Sequence, residues 1–212
     1  MKIFNYNVDD KRSDYKQKVS FMPDRCFRTF VCGSSGSSKT NLLPDMIYRL
    51  LYFDKIYSYA KNLQQSKYQH LIDLFEPIRE EAGYPIIEAS NDKIIPLDKM
   101  LRDNQKLVIF DDYLNTGTKN DAEIRNYFTN SRNKNCSCIC LSQSFYNTDE
   151  TIRLNCAHHC IFEQPSSNEQ NMICRELGIS KSNNQRATQA PYEFIYVDKP
   201  KKRVAKNVNE KI

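Results

Sequence analysis

The sequence has 212 residues, of which 40% are hydrophobic and 27% are charged, and its formal net charge is +5. This composition excludes a disordered chain and predicts one globular domain with its own core, while the small basic excess permits contact with a polyanion without requiring it. No apolar run approaches the roughly 20 residues that span a bilayer, and the first residues lack the apolar stretch of a signal peptide, so we expect neither a membrane span nor secretion.

Predicted strands and helices alternate along the chain, which is typical of a mainly parallel α/β sheet with helices on both faces. Residues 1–25 are interpreted as an N-terminal arm, 26–198 as the domain and 199–212 as a basic C-terminal tail. The predicted strands cover 27–33, 54–60, 84–90, 106–113, 137–144, 159–164 and 192–198. The predicted helices cover 39–53, 64–83, 95–104, 120–135, 149–156 and 166–178.

The first predicted strand leads into the segment GSSGSSKT at residues 33–40. The phosphate-binding loop of nucleoside-triphosphatases reads G-x-x-x-x-G-K-[ST], and Gly33, Lys39 and Thr40 match it, whereas Ser38 replaces the second glycine. A strand before the loop and a helix after it favour phosphate binding by backbone N–H groups over a serine-rich turn that ends in Lys-Thr by chance. We therefore predict that Lys39 contacts the β- and γ-phosphates of a nucleoside triphosphate and that Thr40 holds Mg²⁺.

Two later strands end in polar residues that suit the same chemistry. Asp111 and Asp112 follow the apolar run LVIF, where the first would hold Mg²⁺ and the second would orient or deprotonate the attacking water. Gln143 follows the run CICLS and could contact the γ-phosphate or that water. Each feature alone is compatible with an ordinary turn or surface residue, but combined with the loop they predict a magnesium-dependent nucleoside-triphosphate site.

The eight cysteines are not interpreted as a disulfide framework, because the chain is neither small nor predicted to be secreted. Cys136, Cys138 and Cys140 alternate along a predicted strand and are expected to share one buried face. The segment CAHHC at 156–160 contains four residues of zinc-ligand type, but adjacent residues cannot easily surround one ion, so the start of a buried strand is favoured.

The segments GSSGSSKT, LVIFDD, SRNKNCSCICLSQ and TIRLNC together resemble the viral genome-packaging ATPases of the FtsK/HerA superfamily. The nearest group is the poxvirus-type enzymes of large DNA viruses, virophages and Polinton-like elements, and the resemblance covers 26–165. It implies a RecA-like P-loop fold with an additional strand, in which the Gln143 strand lies between the loop strand and the acidic strand.

The resemblance also implies a homo-oligomeric ring, a pentamer or a hexamer, that hydrolyses ATP to drive double-stranded DNA into a preformed capsid. The implied partners are that DNA and a capsid or portal-vertex protein. The implied location is the viral assembly site in the host cytoplasm or nucleus, or an association with the virion.

Site residues follow from the motifs and from this resemblance. The predicted nucleotide-binding residues are Gly33, Ser34, Ser35, Gly36, Ser37, Ser38, Lys39 and Thr40. The predicted metal ligands are Thr40 and Asp111, and the predicted catalytic residues are Lys39, Asp112, Gln143 and Arg132. The resemblance implies that Arg132 reaches into a neighbouring subunit's site, with Arg153 as the second candidate.

Ser38 departs from the family pattern, which has glycine at this position. A Cβ in a left-handed backbone conformation costs roughly 1–2 kcal/mol, so we expect weaker nucleotide binding. An active but impaired ATPase is the leading hypothesis. The alternative is a degenerate nucleotide-binding module without turnover that acts as a capsid- or DNA-associated interaction protein. A P-loop kinase is disfavoured, because the chain lacks an obvious arginine-rich lid segment.

Two segments are candidates for DNA contact. The first follows the second predicted strand and contains Tyr59, Lys61, Lys67 and Tyr68, although an ordinary amphipathic helix explains it equally well. The second is the basic tail, which could contact nucleic acid or direct nuclear import, and for which a solvated tail is the favoured interpretation.

Overall fold

The computed structural model describes residues 26–49, 53–61, 63–64, 66, 68–73, 87–91, 93–102, 104–113, 119–207 and 210–211. The predicted N-terminal arm, residues 1–25, lies outside this part of the chain, as does most of the predicted helix 64–83.

A single sheet forms the centre of the described chain. Its strands are β1 (Arg28–Cys32), β2 (Lys55–Ala60), β3 (Ile87–Ser90), β4 (Lys106–Asp111), β5 (Cys136–Ser142), β6 (His158–Phe162), β7 (Phe194–Asp198), β8 (Arg203–Lys206) and β9 (Glu210–Lys211). Their order in the sheet is β3-β2-β4-β5-β1-β6-β7-β8-β9. The first six strands pair in parallel and the last three are antiparallel, which confirms the predicted mainly parallel α/β sheet.

Helices follow most of the parallel strands, as is usual in connections between parallel strands. They are α1 (Leu42–Arg49), α2 (Lys119–Asn130), α3 (Glu150–Asn155), α4 (Ser167–Leu177) and α5 (Lys181–Ala187). Short 3-10 turns cover Lys39–Asn41, Leu97–Lys99 and Ser131–Lys134. None of the helices in the described ranges is long and apolar enough to cross a membrane.

The central strands are buried on both faces, which explains why their sequences are mostly apolar. One face packs against residues such as Tyr127 and Phe128, and the other packs against Leu43 and Ile47 of α1. The cysteines at 136, 138 and 140 share the first face, as predicted. Burial raises the pKa of the Cys136 thiol to about 11, so these groups behave as small apolar side chains.

The strand order confirms the arrangement that the family resemblance implies. Strand β5, which precedes Gln143, pairs with β1 on one side and with β4 on the other. The phosphate loop, the acidic pair and Gln143 therefore emerge from three adjacent parallel strands at the same edge of the sheet.

Three elements differ from the sequence predictions. The predicted helix 95–104 is only the 3-10 turn Leu97–Lys99. The polar helix α5 was not predicted, because its sequence KSNNQRA lacks an apolar face. The predicted solvated tail contains β8 and β9, and β8 extends the sheet by pairing with β7 while burying Ala205.

The segment CAHHC starts β6, as favoured by the sequence. His158 and His159 are consecutive in the strand, so their side chains point to opposite faces and cannot share one ion. His158 Nδ1 lies 3.0 Å from the Tyr196 hydroxyl oxygen, whereas His159 is fully buried. Burial lowers the pKa of His159 well below its ordinary value, so this imidazole is a neutral core group.

Candidate nucleotide site

The phosphate loop leaves β1 through a glycine that has no room for a side chain. A Cβ on Gly33 would lie 2.3 Å from Ser37 Oγ and 2.8 Å from Phe162 Cβ. Its N–H donates to Ser142 O at 3.2 Å, which ties the start of the loop to the end of β5. Gly36 lies at the exposed turn with φ +79°, where glycine carries no steric penalty.

The loop ends with the predicted Lys-Thr pair in the 3-10 turn that precedes α1. Lys39 is 6% exposed, and its Nζ donates to Ser34 O at 3.4 Å, so the ammonium group lies within the loop. Ser37 N also donates to Ser34 O, at 3.1 Å, while the buried Ser37 Oγ has no hydrogen-bond partner among the described residues. The loop thus places a lysine ammonium group and an unpartnered serine hydroxyl at the start of a helix, which suits an anion site.

Ser38 adopts the left-handed conformation that glycine would adopt without strain. Its φ is 68° and its ψ is 15°. A residue with a Cβ costs roughly 1–2 kcal/mol in this conformation. The departure from the phosphate-loop pattern is therefore a point of backbone strain inside the candidate site.

Replacing Ser38 with glycine should raise the free energy of unfolding by about 1 kcal/mol, because it removes this strain. If the strain also distorts the phosphate cradle, the dissociation constant for an ATP analogue should fall about fivefold. Thermal unfolding and calorimetric titration measure the two effects. Ser35→Gly is the matched control, because Ser35 lies in the same loop without a positive φ and should gain nothing. An equal response of both variants would contradict the strain.

The acidic pair ends β4, where the predicted metal ligands meet. Asp111 Oδ2 accepts a hydrogen bond from Thr40 Oγ1 at 3.4 Å, although the two residues are 71 positions apart. The same oxygen accepts from the Tyr68 hydroxyl, and Oδ1 is buried with no hydrogen-bond partner among the described residues. An unpartnered carboxylate oxygen beside a threonine hydroxyl is the donor set that Mg²⁺ or its bound water prefers, so these residues fit the metal.

Tyr68 is a site residue whose role the sequence did not reveal. It was predicted as a candidate DNA contact, but its side chain is 2% exposed and its hydroxyl contacts the Asp111 carboxylate. The sequence signal was an aromatic residue after β2, without any indication that β2 pairs with β4. The pairing of β2 with β4 places the segment after β2, which contains Tyr68, beside Asp111 at the end of β4.

Replacing Tyr68 with phenylalanine should shift the acid side of the pH–rate profile to higher pH. Burial raises the pKa of the Asp111 carboxyl, and the hydrogen bond from Tyr68 offsets part of that rise. Without the hydroxyl the pKa rises further, so Asp111 stays protonated, and unable to hold Mg²⁺, up to a higher pH. The measurement is kcat/KM for ATP with excess Mg²⁺ from acidic to neutral pH.

The same shift has a consequence for stability without metal. A carboxyl group whose pKa is raised by folding stabilises the folded protein at low pH. This contribution is lost as the pH rises through the pKa that the group has in the folded state. Tyr68→Phe should therefore be less stable than the wild type at neutral pH, and Mg²⁺ should recover part of the loss. Tyr192→Phe, at an exposed position, is the control. An unchanged acid side of the pH–rate profile in Tyr68→Phe would show that the Tyr68 hydroxyl does not act on Asp111.

Asp112 and Gln143 form the third part of the site. Asp112 has φ 49°, and its N–H donates to Leu141 O at 3.1 Å, so the chain turns sharply at the end of β4. Gln143 Nε2 donates to Asp112 Oδ2 at 2.7 Å. The structure thus brings the two predicted catalytic side chains into direct contact at the open side of the site.

The two candidate arginines have different environments. Arg132 is exposed in the turn that precedes β5, at the sheet edge opposite the phosphate loop. Arg153 is 4% exposed, and its guanidinium pairs with Glu176, donates to Thr148 O at 3.1 Å and lies 4.8 Å from the Phe145 ring centroid. Arg153 is therefore engaged within its own subunit, whereas Arg132 is accessible to a neighbour.

Solved structures with the same fold include several of one viral protein. The genome packaging NTPase B204 from Sulfolobus turreted icosahedral virus 2, in complex with ATPγS, aligns with a TM-score of 0.58 and 14% identity over 85% of this chain and 96% of that chain. Its AMPPCP complex aligns with a TM-score of 0.58 and 12% identity over 85% and 96%. The DNA-packaging ATPase B204 from Sulfolobus turreted icosahedral virus gives a TM-score of 0.61 and 14% identity over 86% and 97%.

This fold, with β5 inserted between the loop strand and the acidic strand, is the P-loop NTPase fold of the additional-strand class. No curated protein matches the sequence closely enough to count as a relative. The family model described as Poxvirus A32 protein matches residues 15–190, and the chain belongs to that family.

Proposed function

We propose that this protein is an ATP-hydrolysing motor that translocates double-stranded DNA into a viral capsid. The observation that carries the proposal is the convergence of Lys39, Thr40, the acidic pair and Gln143 at one edge of the sheet. Family membership and the fold shared with the DNA-packaging ATPase B204 support the packaging role. The ATPγS and AMPPCP complexes of B204 support ATP as the nucleotide.

In this proposal each side chain has a defined task. The loop N–H groups and Lys39 bind the phosphates, and Thr40 with Asp111 would hold Mg²⁺, which supplies positive charge to the phosphate oxygens. Asp112 accepts a proton from the attacking water or orients it. Gln143 keeps the Asp112 carboxylate directed toward the site, because its amide already donates to that group.

The proposal extends to partners and to assembly. Arg132 would complete the site of the adjacent subunit in a homo-oligomeric ring, a pentamer or a hexamer. Double-stranded DNA and a capsid or portal-vertex protein are the proposed partners, and the formal net charge of +5 is compatible with contact with a polyanion. The proposed location is the viral assembly site in the host cytoplasm or nucleus, or the virion itself.

The decisive experiment is ATP hydrolysis with and without linear duplex DNA, combined with the oligomer mass in the presence of ATPγS. We expect hydrolysis that the duplex stimulates and a ring-sized particle. A particle that binds ATP without turnover in any oligomeric state would overturn the motor. It would support the second candidate, a degenerate nucleotide-binding module associated with DNA or capsid, which the strained Ser38 favours.

A further inference from the structure

The loop that follows β5 is held by Glu169, which belongs to helix α4 and lies outside the predicted motifs. We call residues 143–148 the sensor loop, because it begins at Gln143. Three of its donors bind the Glu169 carboxylate: Ser144 Oγ, Phe145 N at 3.1 Å and Tyr146 N at 3.4 Å. Two backbone amides and a hydroxyl on one carboxylate fix the path of the loop directly after the sensor residue.

Glu169 is itself fixed by the start of α4. Ser166 is the N-cap of this helix, and its side chain accepts from Glu169 N at 3.4 Å. The sequence S-x-x-E at 166–169 reads as a capping box, a local feature of helix starts. In the fold the carboxylate of this glutamate contacts the sensor loop, which links α4 to the residues that follow Gln143.

A buried glutamine continues the connection to the phosphate loop. Gln164 is 3% exposed and lies just after β6. With its amide oriented to satisfy both ends, Nε2 donates to Glu169 Oε2 at 3.1 Å and Oε1 accepts from Gly33 N at 3.3 Å. The Gly33 N–H is shared between this oxygen and Ser142 O. A continuous chain of hydrogen bonds therefore runs from the first residue of the phosphate loop to the sensor loop.

We propose that Glu169 is a positioning residue that sets Gln143 against Asp112, and that Gln164 couples this position to the state of the phosphate loop. The inference rests on the proposed ATPase function and adds residues that lie outside the family motifs. Binding of a triphosphate against Gly33 shifts the backbone that Gln164 contacts, and the glutamate transmits the shift to the residues that follow Gln143. Glu169 contacts the residues that follow Gln143 and acts through Gln143.

A double-mutant cycle in hydrolysis tests this role. Glu169→Ala should lower kcat by roughly 10- to 100-fold, because misplacement of a catalytic group by about 1 Å has this effect, with little change in KM for ATP. Gln143→Ala should lower kcat similarly, and adding Glu169→Ala to it should cost nothing more. Glu163→Ala, at an exposed position beside Gln164, is the control. Additive losses in the double variant would overturn the positioning role.

A second measurement does not depend on turnover. In the wild type, ATPγS should increase the hydrogen-exchange protection of the amides at 143–146. Glu169→Ala should lose the protection of Phe145 and Tyr146 while the β4 amides stay protected, which excludes unfolding. Gln164→Met should keep the protection of these two amides but lose its response to ATPγS.

These measurements distinguish a failure of the proposed ATPase function from a failure of the positioning role of Glu169. If the wild type binds ATPγS but does not hydrolyse ATP, the proposed function fails, and the exchange data still decide whether Glu169 couples the two loops. If the wild type hydrolyses ATP and the Glu169→Ala amides keep wild-type protection, the inference fails and the proposed function stands.

Discussion

Replacing Lys39 with alanine should lower ATP hydrolysis by about 10³-fold or more, because the site loses the cation that stabilises charge on the transferred phosphoryl group. The side chain is buried at the loop, with its Nζ 3.4 Å from Ser34 O, so the charge is already in place before nucleotide binds. Such preorganised charges act strongly in partly desolvated sites. The measurement is steady-state phosphate release with Mg²⁺, in the presence of duplex DNA.

Lys99→Ala is the matched control, because Lys99 is an exposed lysine in a short turn. It should retain wild-type kcat. Thermal unfolding of Lys39→Ala should lie close to that of the wild type, since the lost bond is a single one to a carbonyl. Retained turnover with an intact fold would show that the loop is not the site of hydrolysis.

Replacing Arg132 with alanine should lower kcat by about 10³- to 10⁵-fold in the assembled protein, which is the effect of losing a trans-acting arginine. Binding of ATPγS to the isolated subunit should be unchanged, because Arg132 lies at the sheet edge opposite the phosphate loop of its own subunit. The measurement pairs hydrolysis above the assembly concentration with nucleotide binding below it.

Subunit mixing separates a trans role from a local one. Arg132→Ala and Lys39→Ala proteins are each inactive, but a mixed ring contains sites in which an intact loop meets an intact Arg132. Mixing should therefore restore hydrolysis. Arg186→Ala, at an exposed position on α5, should be active throughout. Failure of the mixture to recover activity, with mixed rings demonstrated, would assign Arg132 a role within its own subunit.

Arg153→Ala should behave differently from Arg132→Ala. Arg153 is buried and pairs with Glu176, and its loss leaves that carboxylate without its partner and removes the contact with Phe145. Removing one partner of a buried pair destabilises the fold strongly. A lower Tm that mixing does not repair would distinguish this structural arginine from the exposed one.

The sequence alone determined the local features of the site. Apolar runs predicted β4 and β5, because strands buried on both faces consist mostly of apolar residues. The spacing of Gly33, Lys39 and Thr40 predicted the phosphate loop, because phosphate binding constrains that short segment directly. The family resemblance added the position of β5, which strand pairing confirms.

The tertiary structure decided what depends on pairing between distant segments. Tyr68 and Asp111 are 43 positions apart, and Ser144 and Glu169 are 25 apart, so no local pattern contains either contact. The basic C-terminal residues were predicted to form a solvated tail, because β8 is only four residues long and lacks a local strand pattern. Its pairing with β7 makes it part of the sheet. Local periodicity encodes which face of an element is buried, whereas long-range packing decides which neighbour covers that face and which side chains then meet.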